Sequence, residues 1–366
     1  MLSEGVIVFM TKIIQKDIMR SNINMVFHAI RKRPGIPQQE ITAQTGLSGA
    51  MVAKVMGILL SAGLVSEEKR TGFASGRKPG VVSLRKDDRR VLVIDLTGYN
   101  FRFGFLNIAL EPEGSFTEYS YNTDLSYEDN LRTSLSSMQD EPALRNRAGI
   151  VGVGVSVPGP YRTDKDSVLT QLVPELGQIS LKRLLCTQIS DKPIFIDQDV
   201  YHSARYVGSL RARGEQLFYA YVGRGVGGAV FYNGDLLRTA HSYEGEFGQL
   251  LNKGGATVEN LISTSGIDFD VPPDKETHRK LHQAVTVLAR ALCDVTWIID
   301  PGVIVIESDY VRLAPDFFKQ LRNAFVRSMG DARRLSLPAI EGMPDSGTAH
   351  KGSALGVIEE YLKQLI

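Results

Sequence analysis

Small side chains and one lysine recur along residues 49–57 with the spacing of a helix face. Val52 and Val55 belong to an apolar stripe that predicts the buried side of this helix. The residues opposite the stripe are all small or basic: Gly49, Ala50, Ala53, Lys54 and Gly57. Small residues let a helix approach base edges closely, and Lys54 can reach a phosphate or a guanine. The pattern favours a face that binds nucleic acid; the alternative is a generic three-helix core with a solvated outer face.

Two cations stand in a glycine- and proline-rich loop, Gly76-Arg77-Lys78-Pro79-Gly80. The loop separates a strand that follows Gly63 from a second strand at Val81–Leu84, which predicts a β-hairpin. Basic loops are common, but a basic hairpin directly after a helix-turn-helix is a strong sign of a wing that contacts phosphate or a groove. The predicted DNA-binding residues are Ser48, Gly49, Ala50, Ala53, Lys54, Arg77 and Lys78.

The elements that must position these residues are three helices. Ile23, Val26, Phe27 and Ile30 form the stripe of a first amphipathic helix, which two breakers end at Pro34-Gly35. A short second helix is predicted over residues 38–45. After it, Gly46 suits a left-handed turn and Ser48 suits the cap of the third helix. We expect the third helix to bury Val52, Val55, Met56, Leu59 and Leu60.

Charge divides the chain near Arg90. Residues 1–90 hold fifteen Lys and Arg against seven Asp and Glu, a net charge of +8, while the remainder holds 27 against 34, a net charge of −7. This split suggests a basic module for a polyanion joined to a slightly acidic body. We therefore expect an N-terminal extension at residues 1–20, a winged helix-turn-helix domain at 21–88 and a body at 89–366, with the start codon at Met1 or Met10 left open.

Cysteine content and hydropathy point to the cytoplasm. The two cysteines, Cys186 and Cys293, form no CxxC pair, which argues against a disulfide framework or a cysteine-built zinc site. No apolar run is long enough to cross a bilayer, and the short run near Val6 lacks a preceding basic segment. We expect no membrane partner.

The body has the pattern of a two-lobed α/β protein, with strands separated by glycine turns and a long helix late in the chain. The predicted strands are 91–95, 101–106, 152–157, 218–222 and 303–306, and the predicted helix is 277–299.

The order of the body's motifs resembles the ROK family (repressors, open reading frames and sugar kinases). The resemblance rests on Ile94-Asp95 with Gly98, Gly154 to Pro160, Pro193 to Asp199, Gly223 to Gly228, and Gly245 to Gly248. It implies an α/β fold in which an N-terminal winged-helix domain precedes an actin-like ATPase (ribonuclease H-like) body of two lobes. It also implies a cytoplasmic homodimer or tetramer that binds a double-stranded DNA operator of sugar-utilisation genes.

The resemblance further implies degenerate kinase motifs. Thr97 and Tyr99 replace a glycine and a threonine of the first phosphate loop, and Glu307-Ser308 replaces the two glycines of the adenine site. Side chains at these positions crowd a nucleotide, so we expect ATP binding to be lost. Asp199 matches the catalytic base of the kinases and is expected to be vestigial, either binding a ligand or bonded to local backbone.

The zinc site and sugar site of the family can be compared in the same way. Gln249 replaces the zinc-binding histidine and residues 250–259 contain no cysteine, so we expect no zinc. Glu246 and Glu259 match carboxylates that hold sugar hydroxyls, although Glu259 in particular could be a solvated surface acid. Gln198 and Tyr201 stand where asparagine is usual. The predicted ligand-binding residues are Gln198, Asp199, Arg224, Glu246, Gln249 and Glu259.

Three functions remain open at this point. The preferred one is a DNA-binding regulator, a repressor of carbohydrate genes, whose non-catalytic body binds a sugar or, through Arg224, a sugar phosphate. The second is a sugar kinase with an accessory DNA-binding head. The third is a regulator whose body only mediates oligomerisation or protein contact.

Overall fold

The computed structural model describes residues 4–68, 80–140, 144, 149–189, 192–211, 214–232, 234–239, 243–252, 254–331, 336–343 and 347–366. The chain divides into two compact units. The first comprises Met1–Val155, Ile179–Ile196 and Ser353–Ile366, and the second comprises Ser156–Gln178 and Asp197–Gly352. The head therefore shares a compact unit with part of the body, and the predicted domain boundary at residue 89 stays a prediction.

The head opens with helices α1 (Glu4–Lys32), α2 (Gln38–Thr45) and α3 (Gly49–Ser61). The stripe predicted for the first helix is buried, as are four of the five residues predicted for the third. Leu60 is the exception, because it is 40% exposed and lies beside the buried stripe rather than in it. Helix α1 also begins before residue 21, so the expected extension includes helical residues.

The turn between α2 and α3 has the predicted local chemistry. Gly46 adopts a left-handed conformation with φ of 69° and closes α2. The Ser48 Oγ accepts a hydrogen bond from Met51 N at 3.2 Å, which satisfies a free amide at the start of α3. Two short helices are thereby held at a sharp bend, which is the helix-turn-helix plan.

A small sheet follows the three helices. Strands β1 (Ile36–Pro37), β2 (Val65–Glu68) and β3 (Val81–Leu84) pair antiparallel in the order β1-β3-β2, which confirms the predicted hairpin strands. Arg77 and Lys78, predicted for the tip of the wing, lie outside the described residues.

The first large sheet has the order β10-β7-β4-β5-β6. Its strands are β4 (Arg90–Asp95), β5 (Phe101–Asn107), β6 (Thr117–Tyr119), β7 (Ile150–Val157) and β10 (Ile194–Gln198), and helices α4 (Tyr127–Gln139) and α5 (Leu181–Gln188) also belong to this region. The glycines that alternate along β7 have a packing reason: a Cβ on Gly154 would lie 2.9 Å from the backbone oxygen of Ser353. Ser353 belongs to the last helix, α10 (Thr348–Lys363), which packs close to this strand.

The second large sheet has the order β13-β12-β11-β14-β15. Its strands are β11 (Leu217–Val222), β12 (Val226–Tyr232), β13 (Asp235–Leu236), β14 (Val303–Ser308) and β15 (Ala339–Gly342). Helices α8 (Lys275–Ile299) and α9 (Phe317–Met329) bury one face, and α6 (Asp199–Ser209) buries the other. The layers are thus helix, sheet, helix. The remaining elements are the short hairpin β8 (Tyr161–Arg162) and β9 (Ser167–Val168) and helix α7 (Val258–Ile262).

Among the described residues, no single helix has the length and apolarity needed to cross a bilayer. Helices α2 and α3 would be apolar enough as a pair, but a bend of 114° separates them.

Candidate functional site

The outer face of α3 is open. Gly49, Ala50, Ala53 and Lys54 are all exposed. A Cβ added at Gly49 or Gly57 would meet no atom within 4 Å, so internal packing does not require glycine at either position. The exposure predicted for this face is confirmed, and its role in DNA binding stays a prediction.

A second candidate site lies at the junction of β10 and α6. Gln198 ends β10 and is only 6% exposed. Its Nε2 donates to Glu246 Oε1 at 3.3 Å, whereas its Oε1 has no hydrogen-bond partner among the described residues. An unpartnered buried acceptor costs roughly 1–3 kcal/mol. Gln198 is therefore placed to receive a hydrogen-bond donor from a ligand.

Asp199 opens α6 beside Gln198. Its Oδ1 accepts from the amide of Val200 at 2.8 Å, a bond to the first turn of the helix. This bond agrees with the local-backbone alternative.

Glu246 sits in a loop that is pressed against β12. A Cβ on Gly245 would collide with the backbone of Gly228, and a Cβ on Gly248 would collide with the backbone oxygen of Val226. Phe247 is buried, with its ring 5.6 Å from that of Phe218 in an edge-on arrangement. Tight backbone packing and an apolar anchor thus fix the Glu246 side chain close to Gln198.

Glu259, in α7, is half-buried rather than solvated. Its Oε2 accepts from Val226 N at 2.8 Å, at the start of β12. Burial raises the pKa of Glu246, the hydrogen bond from Gln198 opposes this, and repulsion from Glu259 and Glu244 adds to the rise in pKa. Glu246 therefore lies within electrostatic reach of two other carboxylates.

Sequence reasoning missed a polar cluster next to these residues. Arg238 forms an ion pair with Asp197 and stacks 4.2 Å above the centre of the Tyr201 ring. The Tyr201 hydroxyl donates to the backbone oxygen of Glu244 at 2.8 Å, and burial raises the tyrosine pKa. Arg205 lies 3.8 Å from the same Asp197 carboxylate. Tyr201 was interpreted only as the replacement of an asparagine. No feature of the sequence around Arg238 indicates that it lies near Tyr201 and Asp197.

Two predicted ligand residues have no described side-chain hydrogen bond to this group, although the backbone amide of Gln249 donates to the backbone oxygen of Glu246 at 3.0 Å. Arg224 is exposed in the turn between β11 and β12, where its backbone oxygen accepts from Ser263 Oγ at 2.6 Å. Gln249 ends a short 3₁₀ turn and is exposed. Among the described residues, no side-chain hydrogen bond joins either of them to Gln198, Glu246 or Glu259.

The turn after β4 is closed by its own side chains. Asp95 Oδ1 accepts from the backbone amide and the hydroxyl of Thr97, at 3.0 and 2.6 Å, and Asp95 pairs with Arg102 at 2.5 Å. Tyr99 packs against Tyr121 with 5.0 Å between ring centroids. These contacts hold the turn together, and the loss of phosphate binding stays a prediction.

Glu307 and Ser308 need a correction. They were expected to follow a strand ending at Ile306, but β14 continues through Ser308, which pairs with Val222. Glu307 Oε2 accepts from the hydroxyls of Tyr219 and Thr348, both at 2.6 Å. Pairing with β11 extends the strand past its apolar run, so Glu307 is a bonded residue of the sheet rather than a residue of a following loop.

The part of the chain that the structure describes contains no assembled metal site. No group of three or more His, Cys, Asp or Glu residues there is arranged to hold a metal ion.

The two five-stranded sheets with their flanking helices, preceded by the helix-turn-helix, have the arrangement of an actin-like sugar-kinase fold with an N-terminal helical head. Residues 93–266 match the sequence model of the ROK family. The crystal structure of a ROK family transcriptional regulator, a homologue of the E. coli Mlc protein, superposes with a TM-score of 0.71 and 14% identity over 95% of this chain and 98% of that chain.

Other relatives include both regulators and kinases. The chain is 26% identical to the xylose repressor of Caldicellulosiruptor bescii over 61% of its own length and 57% of that protein. The ROK hexokinase of Thermus thermophilus superposes with a TM-score of 0.55 and 20% identity over 74% of this chain and 98% of that chain. The chain aligns with about three fifths of the length of the curated relatives it matches.

Proposed function

We propose that the chain is a DNA-binding transcriptional regulator, a repressor of carbohydrate-utilisation genes, with a non-catalytic body that binds a sugar. The observation that carries this proposal is the open, small-residue face of α3, which stands on the same chain as the match to the ROK family model. A helix with such a face can enter the major groove, and a basic wing can reach the flanking phosphates. The relative named as a xylose repressor supports a sugar as the effector.

The buried groups around Gln198 support the binding of a small molecule. Gln198 Oε1 is an acceptor without a described partner, and Glu246 beside it offers a carboxylate. Sugars present many hydroxyl donors, so such acceptors suit them. The sugar-phosphate variant depends on Arg224, which is exposed and not bonded to this group among the described residues.

Helix α10 offers a route from this site to the head. At its start, Thr348 Oγ1 lies 3.0 Å from Ser203 Oγ of α6, the helix that begins at the candidate site. Near its end, Glu359 Oε1 lies 3.3 Å from His28 Nε2 of α1. We propose that α10 couples ligand binding at α6 to α1, which requires that these contacts differ between the bound and free states.

Kinase activity is the second candidate, favoured by the structural likeness to a ROK hexokinase. The Asp95–Thr97 and Asp95–Arg102 contacts count against it, because they occupy the carboxylate of the first phosphate loop. A body that only mediates oligomerisation is the third candidate, and the unpartnered acceptor of Gln198 counts against that one. We further propose a cytoplasmic homodimer or tetramer that requires neither zinc nor ATP.

The experiment that tests the proposal is selection of DNA from a random pool by the full chain, followed by anisotropy titrations with and without sugars. We expect specific binding to paired half-sites and release by at least one sugar. Replacing Arg77 and Lys78 with Ala should weaken binding and lower its salt dependence by roughly one unit of slope for each phosphate that the variant no longer binds. Sugar-dependent ATP turnover that disappears in Asp199→Ala would instead establish the kinase.

A further inference from the structure

Three carboxylates belong to the elements that form the candidate ligand site, and no described cation pairs with them. They are Glu244, Glu246 and Glu259. The Tyr201 hydroxyl donates to the backbone oxygen of Glu244 at 2.8 Å and Gln198 Nε2 donates to Glu246 Oε1 at 3.3 Å, so the loop that carries both glutamates is bonded to the first turn of α6. Glu259 bonds to Val226 N, on the strand against which that loop packs.

The two nearby arginines, Arg205 and Arg238, both pair with Asp197 instead. Among the described residues, no ion pair neutralises any of the three glutamates.

Glu244 is the most deeply buried of the three. It is 8% exposed, and its Oε2 accepts from Thr239 Oγ1 at 2.6 Å. Its Oε1 has no hydrogen-bond partner among the described residues. Burying a carboxylate without a compensating charge or donor is expensive, and proteins rarely leave such groups unsatisfied.

Gln198 gives an independent indication that a ligand completes this group. It is more than nine-tenths buried, its amide nitrogen contacts Glu246, and its amide oxygen is unpartnered in the described structure. The missing partners of Gln198 Oε1 and Glu244 Oε1 must both be donors, because an amide oxygen and a carboxylate oxygen can only accept. An anionic ligand would supply no donor from its charged group and would be repelled by the three carboxylates.

We propose that the ligand of this site is a sugar that carries a protonated amine, with the ammonium bound by Glu244 and Glu246 and a neighbouring hydroxyl donated to Gln198 Oε1. The inference rests on the proposed sugar-binding function and names its chemical class. An ammonium supplies three donors and a positive charge, and charge-assisted hydrogen bonds are roughly twice as strong as neutral ones. Burial raises the pKa of Glu246 most, and repulsion from Glu259 and Glu244 adds to the rise; a bound cation would offset that repulsion.

Matched sugar pairs test the proposal directly. The full chain is titrated by calorimetry with glucosamine against glucose, galactosamine against galactose, and mannosamine against mannose, with xylose and glucose 6-phosphate added. We expect at least one amine to bind about tenfold or more tightly than its hydroxyl counterpart. Raising the pH until the amine is neutral should remove this preference.

A variant tests the assignment to Glu244. Glu244→Gln keeps an oxygen for Thr239 but removes the charge, so it should lower the amine's affinity about tenfold and that of the hydroxyl counterpart by a smaller factor. Glu276→Gln, which removes an exposed carboxylate from α8, is the matched control and should change neither affinity. If Glu244→Gln does not fold, the sugar pairs still decide the question in the wild-type chain.

Two results would overturn the inference in distinguishable ways. Binding of a neutral sugar or of glucose 6-phosphate as tightly as any amine would exclude an ammonium site and leave the sugar-binding function standing. If no sugar of any charge bound at millimolar concentration, the sugar-binding function itself would fail, and the amine proposal with it.

Discussion

The outer face of α3 has room for additional atoms, whereas the loop that carries Glu246 has none. Around Gly49 and Gly57 an added Cβ meets nothing within 4 Å. Around Gly245 and Gly248 it meets the backbone of β12. Both regions are rich in glycine, yet only in the loop does packing demand it.

This difference matches two kinds of partner. A DNA duplex is a large convex polyanion that must reach a protein from outside, so small exposed residues suit it. A small polar ligand is held by buried groups whose positions are fixed before it arrives. The glycines of α3 would then keep an exposed surface flat enough for DNA to approach. The glycines of the loop would let it pack closely enough to position the buried ligand-binding groups.

The strongest test of this contrast compares two glycine substitutions. Gly248→Ala should destabilise the chain by about 2–3 kcal/mol, because its Cβ collides with the backbone oxygen of Val226. Gly57→Ala should stabilise it by about 0.5–1 kcal/mol, because alanine favours a helix and space is free. Urea unfolding measures both changes. Equal destabilisation by the two substitutions would show that the contrast between the regions is wrong.

Charge on the α3 face tests the external partner. Ala53→Glu places a carboxylate on the proposed groove-facing side, so we expect DNA affinity to fall about tenfold or more and sugar affinity to stay unchanged. Asn323→Asp, which adds a negative charge to an exposed position of α9, is the control. Unchanged DNA affinity in Ala53→Glu would place the DNA elsewhere on the molecule.

The proposed coupling through α10 can be tested by removing one of its contacts. Glu359→Ala removes the contact with His28 and should reduce the effect of sugar on DNA affinity by about 0.5–2 kcal/mol of coupling. Glu360→Ala removes a carboxylate that pairs with Lys363 and should leave coupling intact. Anisotropy titrations with and without sugar measure both. A coupling that survives Glu359→Ala unchanged rules out this contact.

The smallest effect concerns the ionisation of Glu246. Burial raises its pKa in the folded state, so folding favours the protonated form. This preference adds to the free energy of unfolding below the ordinary glutamate pKa of about 4.3. The added stability disappears as the pH rises through the higher pKa of the folded state. Glu246→Gln cannot ionise, and it should raise the unfolding midpoint at neutral pH but not in acid. Thermal melts across this pH range check the sign, with the exposed Glu276→Gln expected to be indifferent.

Much of the head could be predicted because its signals are local. Gly46 adopts the left-handed turn, and the Ser48 cap bonds only three residues ahead. Leu60 was mispredicted because the sequence does not define the boundary of an apolar helical stripe. Packing in the folded protein decides which residues at that boundary are buried.

The candidate site was only partly accessible from sequence. Family resemblance identified Gln198 and Glu246, but their bond joins residues 48 positions apart and follows from the packing of the loop on β12. Arg238 and Asp197 pair across 41 positions, and no periodic pattern in the sequence indicates this contact.

The sequence by itself determined the order of the elements, the helix-turn-helix and the residue types available for binding. Only the tertiary structure decided that Arg238 neutralises Asp197 rather than Glu244, and that Glu307 lies inside strand β14. The physical reason is that turns and caps depend on neighbours along the chain, whereas charge balance and strand length depend on neighbours in space.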